Sequence, residues 1–155
     1  MRKLTAISVL FASIIFSACS AFTGEEVGRL PINKISTDNT NKYIQETSLN
    51  LKKGDVIAIW SEMDLAFRGN LDLKFIIEVL RDGEKLDGFE IDPSDKKMTI
   101  GELRTTVSGA TDWSFLGRHR KMSIEKDGNY TFKGKLVSSK NSSVKIKKAE
   151  IVLKK

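Results

Sequence analysis

The chain is poor in the residues that build metal centres and covalent cross-links. Among its 155 residues it has one cysteine, Cys19, and one histidine, His119. A single cysteine excludes an internal disulfide, so burial must hold the fold together. A zinc site needs several cysteine or histidine ligands at suitable spacing, and this chain does not offer them. We therefore expect no cofactor.

The sequence also lacks the Gly-x-Ser-x-Gly turn that presents a serine nucleophile. His119 lies in the basic run Arg118-His119-Arg120-Lys121, whose charges disfavour the imidazolium that a general base must form. We predict that His119 is a solvated strand residue and that the chain is not an enzyme. Because proximity in space is invisible in a sequence, a small hydrolase built on Ser/Lys or on two carboxylates stays open as an alternative.

The chain has no large excess of charge of one sign. It has 26 basic and 20 acidic residues, a formal net charge of +6, and the two kinds are interleaved along much of the chain. A nucleic-acid-binding domain shows a clustered basic face on a recognised motif, so we exclude nucleic acid as a partner. Seven basic residues could form a basic face toward anionic lipid or polysaccharide. Lysines also protect sheet edges from pairing, and this is the interpretation we favour. These residues are Arg104, Arg118, Arg120, Lys121, Lys145, Lys147 and Lys148.

The N-terminus has the order of a secretory signal. Arg2 and Lys3 precede an apolar run from Leu4 that ends in small residues at Cys19. This run is shorter than the about 20 apolar residues that a membrane-spanning helix needs, and its charged, apolar and small-residue order is that of a signal peptide. Its end, Phe16-Ser17-Ala18-Cys19, resembles the lipobox of bacterial lipoprotein precursors.

That resemblance covers residues 1–19 and implies a domain division. Residues 1–18 would be removed, and the Cys19 thiol would carry diacylglycerol, with palmitate as a typical acyl chain. The chain would then be held at a membrane of the bacterial cell envelope, on the periplasmic or the cell-surface side. Residues 19–26 predict a short tether because they are small and polar, and residues 27–155 predict a single domain.

Beyond the tether the dominant pattern is alternation of apolar and polar residues, which predicts strands. The clearest strand runs from Leu71 to Leu80, and five of its residues are predicted to point inward. We count eight or nine strands at roughly ten-residue spacing, which predicts an all-β antiparallel two-sheet sandwich of jelly-roll or immunoglobulin-like type. A small closed barrel is the alternative. The five inward residues are Leu71, Leu73, Phe75, Ile77 and Val79.

Turns and bulges are marked by glycine and by breaks in parity. Asp82-Gly83 and Asp127-Gly128 each predict a hairpin turn, because glycine accepts positive φ without steric cost. Gly88 suggests a bulge. A change of parity at Lys147-Lys148 predicts another, since one extra residue turns every later side chain to the other face.

Acidic residues in the turns are weak candidates for a calcium site. Asp92, Asp95 and Asp127 have the carboxylates that Ca²⁺ accepts. Aspartate is also a common turn residue in its own right, so we predict ordinary turns and no metal.

The stretch Trp60-Ser61-Glu62-Met63-Asp64 is the candidate binding site. If the strand continues through it, Trp60, Glu62 and Asp64 share one face. An exposed ring stacks on the C–H faces of a sugar, and the carboxylates accept hydrogen bonds from hydroxyl groups. Two alternatives remain: Trp60 lies in the core, or Ser61 caps a short helix. Trp113 is predicted to be a core residue.

The expected function follows from the anchor and from the missing chemistry. We expect a lipid-anchored envelope protein whose non-catalytic sandwich binds a glycan or an envelope protein. A structural or assembly subunit that pairs through an exposed edge strand is the alternative, beside the small hydrolase of the cell envelope.

Overall fold

The domain is built from nine β-strands in two sheets. The computed structural model describes residues 23–37, 42–138 and 143–155. Residues 1–18 and Cys19 lie outside these ranges, so the signal and the lipidation site remain expectations. The strands are β1 (Glu26–Pro31), β2 (Gln45–Leu51), β3 (Val56–Arg68), β4 (Lys74–Arg81), β5 (Glu84–Ile91), β6 (Met98–Val107), β7 (Ala110–Ser123), β8 (Gly128–Val137) and β9 (Val144–Lys154).

The two sheets are antiparallel and confirm the predicted sandwich. One sheet has the strand order β1-β9-β3-β7-β6, and we call it the five-stranded sheet. The other has the order β2-β8-β4-β5, and we call it the four-stranded sheet. β3 pairs with β9 on one side and with β7 on the other, so it is the central strand of its sheet.

The core lies between the inner faces of the two sheets. Phe75, Ile77 and Val79 of β4 are buried, as is Leu73 just before it. Leu71 is partly buried and packs against the same core. The alternation therefore predicted the inward face of this segment correctly, although the strand itself begins three residues later, at Lys74. Burying such side chains removes apolar area from water and is the main stabilising term in a chain without disulfides.

One of the two predicted hairpins is present and the other is wrong. Asp82 and Gly83 both have positive φ, 51° and 87°, and join β4 to β5. Asp127-Gly128 makes no hairpin, because β7 belongs to the five-stranded sheet and β8 to the four-stranded sheet. A turn signal specifies a change of direction but not which strand will be the partner.

The strand register shifts at five places in the described residues, and one of these shifts was predicted. Asp64 pairs with Lys148 and Leu65 with Ile146, so Lys147 is the extra residue that the parity change indicated. The prediction at Gly88 is wrong, because the extra residue on β5 is Leu86. On β7 the extra residue is His119, since Ile59 pairs with Arg120 and Trp60 with Arg118.

The chain enters the fold beside the end of β9. Glu25 and Lys155 exchange two backbone hydrogen bonds of 2.9 Å. Glu25 and Glu26 therefore belong to the fold, although the sequence assigned residues 19–26 to the tether. Within the three described ranges, no helix is long and apolar enough to cross a membrane.

Candidate functional site

The stretch around Trp60 is extended, as one reading of the sequence required. β3 continues without a break to Arg68, so Ser61 does not cap a helix. Ile59 and Met63 belong to the core between the sheets, whereas Trp60 does not. Trp60, Glu62 and Asp64 therefore share the outer face of the five-stranded sheet, as predicted.

Of the alternatives for Trp60, burial is the one found, and the exposed ring that the sugar site required is absent. Only 1 % of the residue is accessible to solvent. Its cross-strand neighbours are Val152 and Arg118, and the cations of Lys154 and Arg118 lie 5.4 and 5.9 Å from the ring centroid. Parity fixes the face of a sheet on which a side chain lies, but not what covers that face. An enclosed ring does not offer the open surface on which a sugar stacks.

The indole nitrogen of Trp60 has no hydrogen-bond partner within the described part of the chain. A buried N–H without a partner carries a desolvation cost, because it has lost its hydrogen bonds to water. Buried tryptophans usually place this group against an acceptor. Trp60 thus contributes apolar burial while leaving its one polar group unsatisfied.

Glu62 is held by two cations instead of facing open solvent. Its two carboxylate oxygens accept hydrogen bonds from Arg29 at 2.6 Å and from Lys148 at 2.7 Å. Burial alone would raise the pKa of Glu62, but the hydrogen bonds from Lys148 and Arg29 outweigh it and the pKa is lowered. Arg29 also binds Glu26 and Glu150, so Glu62 belongs to a network of three carboxylates and two cations.

Asp64 is the most accessible of the three predicted residues. Its carboxylate lies 3.5 Å from the Lys147 ammonium, and its side chain is 43 % exposed. Lys147 is shared with Asp112 of β7 at 3.2 Å. The structure therefore brings Trp60, Glu62 and Asp64 to one face, but as one enclosed ring and two carboxylates in ion pairs.

A buried hydrogen bond joins Ser61 to His119. The prediction that His119 is a solvated strand residue is therefore wrong. His119 is 9 % exposed and Ser61 is 0 % exposed. The His119 Nδ1 lies 2.8 Å from the backbone carbonyl of Asp95. A carbonyl only accepts, so Nδ1 carries the hydrogen and Nε2 accepts one from the Ser61 hydroxyl at 2.7 Å.

Ser61 and His119 form the hydrogen bonds of an activated serine, but Ser61 lacks the solvent access that a serine nucleophile has. A serine nucleophile needs its hydroxyl bonded to a base that a third group orients, and Ser61, His119 and the Asp95 carbonyl satisfy that requirement. The base is neutral at pH 7, because burial lowers the pKa of His119. Ser61 lines none of the three surface grooves found in the described residues.

Trp113 is a core residue, as predicted, and a buried lysine covers it. The ammonium of Lys96 lies 4.4 Å from the Trp113 ring centroid and 4.0 Å from that of Phe115. The lysine side chain is 8 % exposed and pairs with Glu102 at 3.0 Å. Glu102 also accepts a 2.7 Å hydrogen bond from the indole of Trp113. No local pattern marked Lys96, because its partners come from β6 and β7.

The predicted basic residues do not form an uninterrupted basic face. Lys147 and Lys148 are paired with acids of β3 and β7, and Arg120 lies 3.5 Å from Asp87. The edge-protection interpretation is wrong for β9, which lies between β1 and β3. Its lysines instead balance carboxylates of neighbouring strands.

The acidic turn residues are engaged in the turns themselves. Asp92 accepts hydrogen bonds from the backbone and side chain of Ser94. Asp127 accepts one from the Lys53 amide at 2.8 Å, which lowers the pKa of this aspartate. Asp95 donates its backbone N–H to Asp92. Among the described residues, no group of three or more metal-ligating side chains converges.

A groove lies on the outer face of the four-stranded sheet. Its volume is about 470 Å³. Ile44 and Ile76 give it an apolar surface, and Gly88 leaves room above β5. Its charged lining residues are Lys42, Lys85, Lys133, Lys135, Glu78 and Glu90. The sequence signal for this groove was Ile76, an apolar residue on the otherwise polar face of β4.

Comparison with known proteins assigns no family. No family model matches this chain, and no curated protein matches it. A solved structure described as a novel beta-glucosidase from Paenibacillus barengoltzii is similar over 79 % of this chain and 10 % of that chain, with 12 % sequence identity and a TM-score of 0.33. The chain thus spans about a tenth of that protein's length. A score this low supports no statement about fold or activity.

Proposed function

We propose that this chain is a lipid-anchored protein of the bacterial cell envelope whose non-catalytic β-sandwich binds an acidic glycan. The proposal relocates the binding site from Trp60 to the groove of the four-stranded sheet. The observation that carries it is the lining of that groove, in which four lysines outnumber two glutamates beside three isoleucines.

Two of the groove lysines have their charge available for a ligand. Lys85 pairs with Glu78 at 3.0 Å and Lys133 with Glu46 at 3.5 Å. Lys42 and Lys135 form no ion pair within the described residues. A carboxylate or phosphate group on a glycan would supply the missing partner, since charge-assisted hydrogen bonds are the stronger ones. Ile44, which is 48 % exposed, offers an apolar contact for the C–H face of a sugar ring.

The enclosure of the Ser61–His119 pair supports a binding role over hydrolysis. A substrate has to reach both the nucleophile and a set of oxyanion donors, and Ser61 is fully buried. A hydrolase that used Ser61 as its nucleophile would have to open the sandwich before each turnover.

Binding of anionic polysaccharides by the full chain tests the groove. We expect polygalacturonate and heparin to bind at low salt while neutral dextran does not, and added salt to weaken the binding. Lys135→Glu should reduce affinity about tenfold, on the scale of a lost charge-assisted contact. Lys145→Glu is the matched control, because it makes the same charge change at an exposed position of the five-stranded sheet. Equal loss in both variants would refute the groove. Retention of an envelope protein by a chain that binds none of the three polysaccharides would favour the protein partner instead.

The anchor is tested separately at Cys19. Mass spectrometry of membrane-extracted protein should show an N-terminal acylated cysteine and no residues 1–18. Acyl chains anchor through about 0.8 kcal/mol per buried CH₂, so more than one chain holds a protein stably. Cys19→Ala should release the protein from the membrane fraction. An unmodified N-terminus upstream of Cys19 would exclude the anchor while leaving the groove untouched.

A further inference from the structure

Strand β6 is an open edge of the five-stranded sheet. It pairs with β7 on one side and ends the strand order of that sheet. All of its residues from Thr99 to Val107 are exposed, so the four-stranded sheet does not extend over it. Three large apolar side chains stand on the face away from the core: Ile100 (36 % exposed), Leu103 (67 %) and Val107 (66 %). Exposed apolar residues on an unpaired edge favour pairing with another strand.

The turn that follows β6 determines which of its backbone groups are free. Ser108 and Gly109 have φ of 49° and 78° and form a two-residue hairpin turn. Val107 and Ala110 are therefore a hydrogen-bonded pair, and bonded and non-bonded pairs alternate along the ladder. It follows that the N–H and C=O groups of Leu103 point toward β7, and those of Arg104 point toward the open edge.

Glu102 and Arg104 of β6 carry opposite charges but form no ion pair with each other. Glu102 uses one oxygen, Oε1, for both Trp113 and Lys96, and no hydrogen bond to its Oε2 is formed by the described residues. Arg104 lies 5.1 Å from the Trp113 ring and has no carboxylate partner in the same part of the chain. One strand thus offers both a carboxylate oxygen and a guanidinium at its open edge.

We propose that β6 pairs with β6 of a second copy of this chain, antiparallel, around a two-fold axis at Leu103. In this register the two Leu103 residues oppose each other, and Glu102 of each copy opposes Arg104 of the other. The backbone hydrogen-bond pattern also agrees with this register. The two Leu103 residues form a non-bonded pair, and on either side of it the backbone groups of Arg104 that point toward the open edge meet β6 of the second copy. The result is one continuous ten-stranded sheet across two protomers.

A second copy fits this edge better than an unrelated strand. A two-fold interface is self-complementary, so one strand must supply both halves of every contact. Glu102 and Arg104 are two such halves, and the two-fold axis repeats their contact on each side of Leu103. The bulge in which Gly101, with φ of 60°, precedes Glu102 limits the paired length. We therefore expect a weak, concentration-dependent dimer. This inference is independent of the groove, which lies on the other sheet.

Cysteine cross-linking in the full chain tests both the dimer and its register. Non-bonded antiparallel pairs have Cα atoms about 4.5 Å apart, which lies within the range that a disulfide accepts. Leu103→Cys should therefore form a cross-linked dimer under mild oxidation. Thr105→Cys should not, because four residues of strand, about 13 Å, separate it from its copy in this register. Cross-linking of Thr105→Cys in preference to Leu103→Cys would overturn the register, and cross-linking of neither would overturn the dimer.

A charge exchange tests the contact without relying on a thiol. Arg104→Glu opposes two carboxylates at each contact and should lower the association constant on the order of tenfold in sedimentation experiments. The double variant Glu102→Arg/Arg104→Glu restores opposite charges and should recover association. Because Glu102 also binds Trp113, thermal melting must show that the double variant is folded. If Arg104→Glu alone associates as the unaltered chain does, the proposed contact is excluded.

Discussion

The hydroxyl of Ser61 lies 2.7 Å from Nε2 of His119 and donates a hydrogen bond to it inside the sandwich. The contact joins β3 to β7 at the bulge in which His119 is the extra residue. His119 is in phase with Trp113 and Phe115, which are buried on the same strand. The alternation of β7 thus places a histidine from a run of cations on the inward face.

Replacing Ser61 should destabilise the domain. Ser61→Ala removes the donor to a buried imidazole nitrogen, and an unsatisfied buried acceptor costs about 1–3 kcal/mol. Urea denaturation should show this loss of unfolding free energy. Ser48→Ala is the control, since it removes an exposed hydrogen bond to Thr131 on the four-stranded sheet and should change stability by less than about 0.5 kcal/mol. Equal effects of the two variants would mean that the buried contact is not stabilising.

Stability should fall between pH 7.5 and pH 5 because of His119. Burial lowers the pKa of its imidazole in the folded chain, whereas the unfolded chain keeps the ordinary value of about 6.5. The unfolded state therefore binds more protons in this window, and the neutral ring's contribution is complete above pH 6.5 and lost as pH falls toward the folded pKa. Denaturation midpoints at pH 7.5, 6 and 5 measure the slope. His119→Gln should flatten it, and an unchanged slope in that variant would assign the effect to other groups.

Trp60 should behave as a buried residue and not as a ligand platform. Trp60→Ala is expected to cost about 3–5 kcal/mol of unfolding free energy, the range for truncating a buried aromatic. Trp60→Phe should cost much less, because it keeps most of the ring and removes the indole N–H that lacks a partner in the described residues. Circular dichroism melting of both variants provides the comparison. A stable Trp60→Ala protein that loses polysaccharide binding would return the site to Trp60.

The inward face of β4 should show the cost of a cavity. Phe75 is 0 % exposed, so Phe75→Ala should destabilise the fold by about 3–5 kcal/mol. Leu86→Ala is the control, because it removes apolar atoms from β5 at a residue that is 48 % exposed, and it should be nearly neutral. Chemical denaturation of the two variants measures the difference. A neutral Phe75→Ala would contradict the register of this strand.

The sequence predicted the features that depend on one strand at a time. Alternation identified the inward residues of β4, and the parity change located the bulge at Lys147. Each of these follows from the two-residue period of a strand, which is written in consecutive residues. The two-sheet architecture followed from the number and spacing of such segments.

The features that the sequence missed depend on partners distant in the chain. The bulge at His119 is defined by the register against β3, and Lys96 is buried by rings of β7 and a carboxylate of β6. The assignment of β7 and β8 to different sheets is likewise a property of the assembled fold. For the same reason the sequence placed Trp60 on the correct face but left its exposure open.

The position of β9 also determines when the molecule can fold. β9 separates β1 from β3, and its Glu150 lies 121 residues from Arg29, its ion-pair partner on β1. A ribosome adds about 5–20 residues per second, so roughly 6 to 25 seconds pass between the synthesis of the two residues. Until residues 144–154 exist, β1 has no strand to join and β3 lacks a partner on one side. The N-terminal strand is thus the first to be made and among the last to be paired, and a chain stopped before residue 144 leaves two unpaired edges that favour aggregation.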